Sequence, residues 1–196
     1  MTDLYQFPHA YAQNYAFIYC LDSDRSARDQ ARIDRALEEY PWRGGYSYVN
    51  IYTVLQNQVP LRDRPRIKSI NKSSPGWLDL LLNIDVAISV AKSVATLAGS
   101  GVAATYAYKQ INKYLGDIKV DRKRHRLQEL QITQAQAKVL TSMSTEMAKF
   151  LGFKNLKELH ERTGNPEVTL KMLQAHFRRI TTLVEYEEAG KARLTY

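Results

Sequence analysis

The sequence contains one cysteine, Cys20, in 196 residues. A chain with a single cysteine forms no intrachain disulfide, so a buried core has to stabilise the fold, and this length is sufficient for one. A lone cysteine is also typical of a reducing compartment. Since the first ten residues lack the basic and apolar regions of a secretory signal, we predict a cytoplasmic protein, with a peripheral position at a membrane as the alternative.

The sequence also lacks the known patterns of catalytic, metal and cofactor sites. Its four histidines do not have metal-ligand spacing, and it contains no phosphate-binding loop and no nucleophile elbow. Residues 99–104 fit a dinucleotide-binding pattern, but the residues before them have a helical period instead of a strand period. We therefore predict a non-enzymatic protein without metal or cofactor. A catalytic site assembled from dispersed residues is left open by the sequence.

The most regular feature that is present is an apolar segment, residues 84–108, with a small residue at every fourth position. These residues are Ala87, Ala91, Ala95, Gly99, Ala103 and Ala107. Positions four apart lie on one face of a helix, and side chains without bulk let another helix approach closely. A polar stripe beside them predicts a mostly buried amphipathic helix with a narrow exposed edge. Residues 99–101, Gly-Ser-Gly, leave open whether the segment is one helix or a broken hairpin.

The same segment is long enough to span a membrane, since residues 86–108 contain one charged side chain, Lys92. On an insertion scale its strongly apolar residues gain about 2 to 4 kcal/mol, whereas a central lysine costs about 2.5 to 3.5 kcal/mol. These contributions nearly cancel, so insertion as a single span is not favoured. A protein that acts on membranes by exposing this helix is one alternative function.

The net charge of +8 is unevenly distributed along the chain. Residues 60–126 carry 13 Lys/Arg and 5 Asp/Glu, a net charge of +8, against −2 for residues 1–59 and +2 for residues 127–196. We predict that this basic collar binds an acidic partner. Its residues are Arg62, Arg64, Arg66, Lys68 and Lys72 before the apolar segment, and Lys109, Lys113, Arg122, Lys123, Arg124 and Arg126 after it.

The remaining pattern predicts an α+β protein that is predominantly helical. Residues 15–21 and 46–55 have the composition of strands, and with a helix between them they predict a small tyrosine-rich α/β unit over residues 1–72 that closes with a short strand at 66–70. Residues 73–75, Ser-Ser-Pro, are a helix-start signal, so a helical body is predicted over residues 73–196. Its parts are an apolar small-residue helix over about 76–115, a charged helix over about 116–151, and a C-terminal helix pair over about 154–189 within a helical bundle.

Residues 155–179 resemble a helix-turn-helix of the kind found in bacterial transcription factors. The matching positions are Leu156, Leu159, Gly164, Leu170 and Leu173. Glu167 opens the second helix of the motif. The resemblance implies nucleic-acid binding, which is a second alternative function.

The leading interpretation is a non-enzymatic interaction or assembly module. It self-associates or docks a partner protein through the small-residue helix 84–108, while the basic collar contacts an acidic surface. A homo-oligomer or a partner protein is therefore expected, with nucleic acid and an anionic membrane surface as the other candidate partners.

Overall fold

The computed structural model describes residues 3–22, 24–44, 48, 50–71, 77–128 and 130–192. Over this part of the chain it has seven helices and one antiparallel sheet of two strands, with 74% of the structure helical. The prediction of a predominantly helical α+β protein is confirmed. The elements are α1 (Asp3–Leu21), α2 (Ala27–Glu39), α3 (Ile51–Gln58), β1 (Arg66–Asn71), β2 (Trp77–Leu81), α4 (Ile84–His125), α5 (Gln134–Phe150), α6 (Leu156–Thr163) and α7 (Pro166–Glu188).

Helix α7 lies at the centre of the fold. Every side chain over residues 169–177 is buried, and α1, α4, α5 and α6 pack around this helix. Its start follows from the sequence, because the side chain of Asn165 accepts hydrogen bonds from the backbone N–H groups of Glu167 and Val168 and Pro166 occupies the first turn. The predicted C-terminal helix pair is α6 and α7.

The predicted N-terminal strands are wrong. Residues 15–21 belong to α1, where Tyr11, Tyr15 and Tyr19 stand four apart on one face and neighbouring ring centroids are 6.3 Å apart. Residues 51–55 belong to α3, while 46, 47 and 49 lie outside the described residues. In both places helical packing outweighs the preference of aromatic side chains for strands.

The predicted helix start near residue 76 is also wrong. Trp77–Leu81 form β2, which pairs with β1 in a hairpin, and α4 begins only at Ile84 with Asn83 as its cap. Residues 73–75, on which the prediction depended, lie outside the described residues. The predicted short strand at residues 66–70 is confirmed as β1.

Helix α4 continues well past the predicted boundary at residue 115. It ends at His125, where Arg126 takes the left-handed conformation, and a loop with Leu130 in the same conformation leads to α5. The predicted charged helix over 116–151 is therefore wrong. The start of α5 has a physical cause, because Thr133 and Gln136 form a reciprocal capping box.

The Gly-Ser-Gly stretch kinks α4 without ending it. Gly101 has φ 40° and ψ −112°, which no helical residue adopts, and helical structure continues on both sides. The segment 84–108 accordingly consists of two helical stretches joined by a kink at Gly101.

Replacing Gly101 with alanine is expected to lower the free energy of unfolding by about 1 to 3 kcal/mol, because this backbone conformation is strained for a residue with a Cβ. The matched control is Gly116→Ala, in the same helix, where an added Cβ meets no heavy atom within 4 Å. That change is expected to stabilise the protein by about 0.5 to 1 kcal/mol. Urea unfolding curves measure both effects, and equal effects at the two sites would mean that Gly101 carries no special strain.

One buried core extends from α1 to α7. Residues of both predicted units meet in it, as in the contact between the rings of Phe17 and Phe153, whose centroids are 6.1 Å apart. The division of the chain at residue 72 stays a prediction, since residues 72–76 lie outside the described part of the chain.

Candidate interaction surface

Helix α4 has an inner face that packs on the core and an outer face that is apolar but exposed. The inner face contributes Val90, Val94 and Leu97, all buried. On the outer face, Val102 is 87% exposed and Tyr106 is 64% exposed. The prediction of a mostly buried helix with a narrow polar edge is therefore wrong, because apolar side chains lie on both sides of the helix.

The hydropathy of α4 also shows an apolar helix that is only partly buried. Its most apolar window of 18 residues has a mean hydropathy of 1.5, and 33% of that window is buried. By length and composition it is the one described helix that could cross a membrane, although a core helix of a soluble protein passes the same test. In this fold, a third of the apolar window is buried and the rest is half-buried or exposed.

The small residues of the stripe differ in their exposure to solvent. Ala91 and Ala107 are buried, while Ala95, Gly99 and Ala103 between them are exposed, and Ala87 is half-buried. A repeat of four residues advances 400° around a helix, so the stripe drifts by about 40° at each step. The middle of the stripe consequently turns outward, and an added Cβ at Gly99 would meet no heavy atom within 4 Å.

Exposed apolar residues line the outer face over the N-terminal half of α4, with the exposed Lys92 among them. On a helical wheel the residues before the kink at Gly101 lie opposite the buried valines, and Val102, Ala103 and Tyr106 follow the kink as exposed residues. We call this surface the outer α4 face and define it by Ile84, Ile88, Ala95, Gly99, Val102, Ala103 and Tyr106. Sequence reasoning found the small residues but missed Val102 and Tyr106, since periodicity alone does not say which apolar side of a helix meets the core.

The first group of predicted basic residues lies on the loop and hairpin that precede α4. Arg62, Arg66 and Lys68 are exposed, and Arg64 is half-buried with its Nε donating to the carbonyl of Val59 at 2.8 Å. Lys72 lies outside the described residues. This part of the predicted collar is therefore mainly a surface feature.

Two tyrosines of α1 hold this loop against the body of the protein. The hydroxyl of Tyr15 donates to the carbonyl of Asp63 at 2.7 Å and accepts from the backbone N–H of Asn83 at 3.2 Å. The hydroxyl of Tyr19 donates to the carboxylate of Asp63 at 3.0 Å. Burial raises the pKa of both tyrosines to about 12, so the hydroxyls remain donors at neutral pH.

The second group of basic residues lies in the C-terminal half of α4 and at its end. Lys109, Lys113, Lys123, Arg124 and Arg126 are exposed. The apolar outer α4 face lies between them and the first group along the chain. The two groups flank the apolar surface in the sequence, and their role in binding an acidic partner stays a prediction.

Arg122 is the exception within the predicted collar. Its side chain is 7% exposed and pairs with the carboxylate of Glu167 through both terminal guanidinium nitrogens, one of them at 3.2 Å. Its Nε also donates to the carbonyl of Gln131 at 2.9 Å. Arg122 is consequently a structural residue that joins α4 to α7, and it contributes nothing to an anion-binding surface.

The helix-turn-helix resemblance predicts the turn between α6 and α7 correctly, but the second helix is buried where a DNA-binding helix has to be exposed. Gly164, at the position of the turn glycine in the motif, ends α6 in the left-handed conformation, and Asn165 caps α7. Glu167, at the opening of the second helix, is 4% exposed, and the nine residues from 169 to 177 are buried. A helix that reads a DNA groove has to be exposed, so the N-terminal half of α7 offers no such surface.

Among the described residues, no three His, Cys, Asp or Glu side chains are grouped so that they could hold a metal ion. Comparison with known proteins adds no further assignment. The chain matches no family model, and searches of curated proteins and of solved structures return no significant similarity.

Proposed function

We propose that this protein is a non-enzymatic assembly module that self-associates through the outer α4 face. The observation that carries the proposal is the exposure of Val102 and Tyr106 beside the small residues Ala95, Gly99 and Ala103. Covering exposed large apolar side chains is favourable, by about 25 cal/mol for each Å² of apolar surface that is buried. Several exposed apolar residues on one helix are typical of a protein interface.

A second copy of the chain fits this surface. At the small residues a partner helix can approach backbone to backbone, while Val102 and Tyr106 pack to either side of the contact. Because this face carries both small and bulky side chains, the bulky side chains of one copy can pack against the small residues of the other. A two-fold dimer with α4 against α4 uses the same patch on each copy.

The charges of α4 favour an antiparallel arrangement of the two copies. Residues 84–106 contain one acidic and one basic residue, Asp85 and Lys92, whereas residues 107–126 contain seven basic and two acidic residues. A parallel pair would place the two basic halves side by side, and like charges repel. In an antiparallel pair the apolar halves meet and the basic halves point away from each other.

The basic halves then remain available at the two ends of the dimer. Lys109, Lys113, Lys123, Arg124 and Arg126 are exposed there and, in this proposal, contact an acidic partner. The partner surface would see one basic patch from each copy, which increases the apparent affinity when both are engaged.

The substitution Ala95→Leu tests the proposed interface. Ala95 is exposed, so a leucine fits the isolated chain, but in the dimer it would hold the two helices apart. Light scattering on the purified wild-type protein is expected to give twice the chain mass of 22.5 kDa, and the variant is expected to give the mass of one chain.

The matched control is Ala135→Leu, which places the same side chain on an exposed alanine of α5. It is expected to leave the mass unchanged. If both variants behave like the wild-type protein, or if both become monomeric, the outer α4 face is not the contact.

A further inference from the structure

The hairpin of β1 and β2 exposes aliphatic side chains in an unusual arrangement. Ile67 pairs with Leu80 and Ile70 with Leu78, and the register shifts at Lys68, which is an extra residue in β1. Residues three apart normally lie on opposite faces of a strand, but one extra residue brings them to the same face. Ile67 and Ile70 therefore share a face, and they are 51% and 50% exposed.

The opposite face of the hairpin is exposed as well. Leu81 stands opposite Arg66 on that face and is 59% exposed, and Ile84 follows at the start of α4 with 61% of its side chain exposed. Among the described residues no further strand pairs with either edge of this sheet. A two-stranded sheet of this kind is marginally stable alone. Leu80, the partner of Ile67, packs against the core, so a further environment would stabilise the hairpin by covering the aliphatic side chains that remain exposed.

Basic side chains surround these aliphatic residues. Residues 61–71 together with β2 contain four basic and two acidic residues. The acidic residues are Asp63, which is engaged by Tyr19 and Arg62, and Asp79, which accepts a hydrogen bond from Ser69. Lys68, in the middle of β1, is exposed and has no carboxylate within ion-pair distance among the described residues. The hairpin thus combines exposed aliphatic surface with excess positive charge.

The geometry points to an anionic lipid bilayer as the partner of this hairpin. Acyl chains form a fluid phase that can cover Ile67 and Ile70 on one face and Leu81 on the other while Leu80 stays against the core. Arginine and lysine side chains beside the aliphatic residues would reach the lipid phosphates, since the surface of an anionic membrane attracts basic segments. Nucleic-acid phosphates would attract the same basic residues, but they provide no apolar phase for Ile67, Ile70 and Leu81.

The hydrogen bonds of Tyr15 fix how the hairpin is presented. They tie the loop before β1 and the cap of α4 to the same hydroxyl, so both ends of the hairpin are anchored on α1. The hairpin can therefore enter the headgroup region while the helical body stays in water. This inference does not depend on self-association, because the residues of the hairpin, apart from the neighbouring Ile84, are distinct from the outer α4 face.

Flotation of the full chain with lipid vesicles tests the inference. At low salt, the wild-type protein is expected to float with vesicles of equimolar phosphatidylcholine and phosphatidylglycerol, and to remain in solution with phosphatidylcholine alone. The double variant I67S/I70S is expected to lower the partition onto anionic vesicles about tenfold or more, because it removes two exposed aliphatic side chains. Lys68→Gln is expected to lower it about fivefold.

The matched control is Val139→Ser, which removes an exposed aliphatic side chain from α5 and is expected to leave the partition unchanged. The monomeric variant Ala95→Leu is expected to float like the wild-type protein, which separates this inference from the proposed assembly. Circular dichroism shows whether I67S/I70S is folded, and Leu81→Ser provides a second variant with the same expected direction.

Three results would overturn the inference. The first is a wild-type protein that does not float with anionic vesicles at low salt. The second is equal flotation of the wild-type protein, I67S/I70S and Leu81→Ser. The third is an I67S/I70S variant that loses mass in light scattering but keeps its vesicle binding, because the hairpin would then contact a second copy of the chain.

Discussion

Replacing Arg122 with methionine is expected to lower the free energy of unfolding by about 3 to 5 kcal/mol, the largest effect of any single change proposed for this protein. The carboxylate of Glu167 is 5% exposed on its side chain, and both of its oxygens receive guanidinium hydrogen bonds. Without Arg122 this charge would stay buried without its partner. Urea unfolding at neutral pH measures the loss.

A double-mutant cycle separates the penalty of the unpaired charge from the value of the pair. The double variant R122M/E167L removes both charges and is expected to recover most of the lost stability, because apolar residues of similar size often replace a buried ion pair at little cost. As a control, Lys157→Met breaks an ion pair whose side chains are 92% and 67% exposed, and it is expected to cost less than about 1 kcal/mol. If Arg122→Met costs no more than Lys157→Met, the pair does not hold α4 to α7.

Acidification is expected to destabilise the protein through His176. This side chain is fully buried and stacks on Phe17 with ring centroids 4.2 Å apart, and neither ring nitrogen has a hydrogen-bond partner among the described residues. Burial lowers the pKa of His176 from 6.5 to about 3. Between these two values the unfolded chain binds a proton that the folded chain does not, so stability falls as the pH falls.

The substitution His176→Phe isolates this contribution. From about pH 8 to about pH 5 the wild-type protein is expected to lose about 2 kcal/mol more stability than the variant, since each pH unit below 6.5 costs about 1.4 kcal/mol. Asp22 has the opposite effect on stability. Burial raises its pKa to about 6, so on acidification the folded state binds this proton at a higher pH than the unfolded state does. Asp22 is present in both proteins, so its contribution cancels in the comparison. Parallel stability curves for the two proteins over this pH range would show that His176 does not titrate as described.

The sequence was most informative where local signals and packing agree. The C-terminal helix pair was predicted from the sequence, and Asn165 and Pro166 are the local signals at the start of α7, in which Leu170 and Leu173 are buried. The end of α5 at Phe150 follows a similar local rule, since Gly152, two residues later, has φ 61°. These signals act within a few residues and do not depend on distant contacts.

Predictions failed where distant contacts decide the structure. Aromatic residues in α1 suggested a strand, although the spacing of Tyr11, Tyr15 and Tyr19 by four was the helical signal. The strand Trp77–Leu81 exists because β1 pairs with it, and no local pattern reveals that partner. The loop after Arg126 contains no glycine or proline, but the capping box at Thr133 marked its end.

The candidate surface was predicted only in part, because distant contacts decide which of its residues are exposed. The small residues of α4 and most of the basic residues were identified from composition and spacing alone. The burial of Arg122 could not be predicted, because its partner Glu167 lies 45 residues away in the chain. The outward position of Val102 depends on which side of α4 meets α7, which is a property of the packed fold.

Light scattering on the purified wild-type protein, at low and high salt and with and without mild detergent, tests the assembly proposal most directly. The proposal predicts a dimer of twice 22.5 kDa that persists when the salt concentration changes, because the contact is apolar and the basic halves are kept apart. A mass of 22.5 kDa under all of these conditions would contradict it.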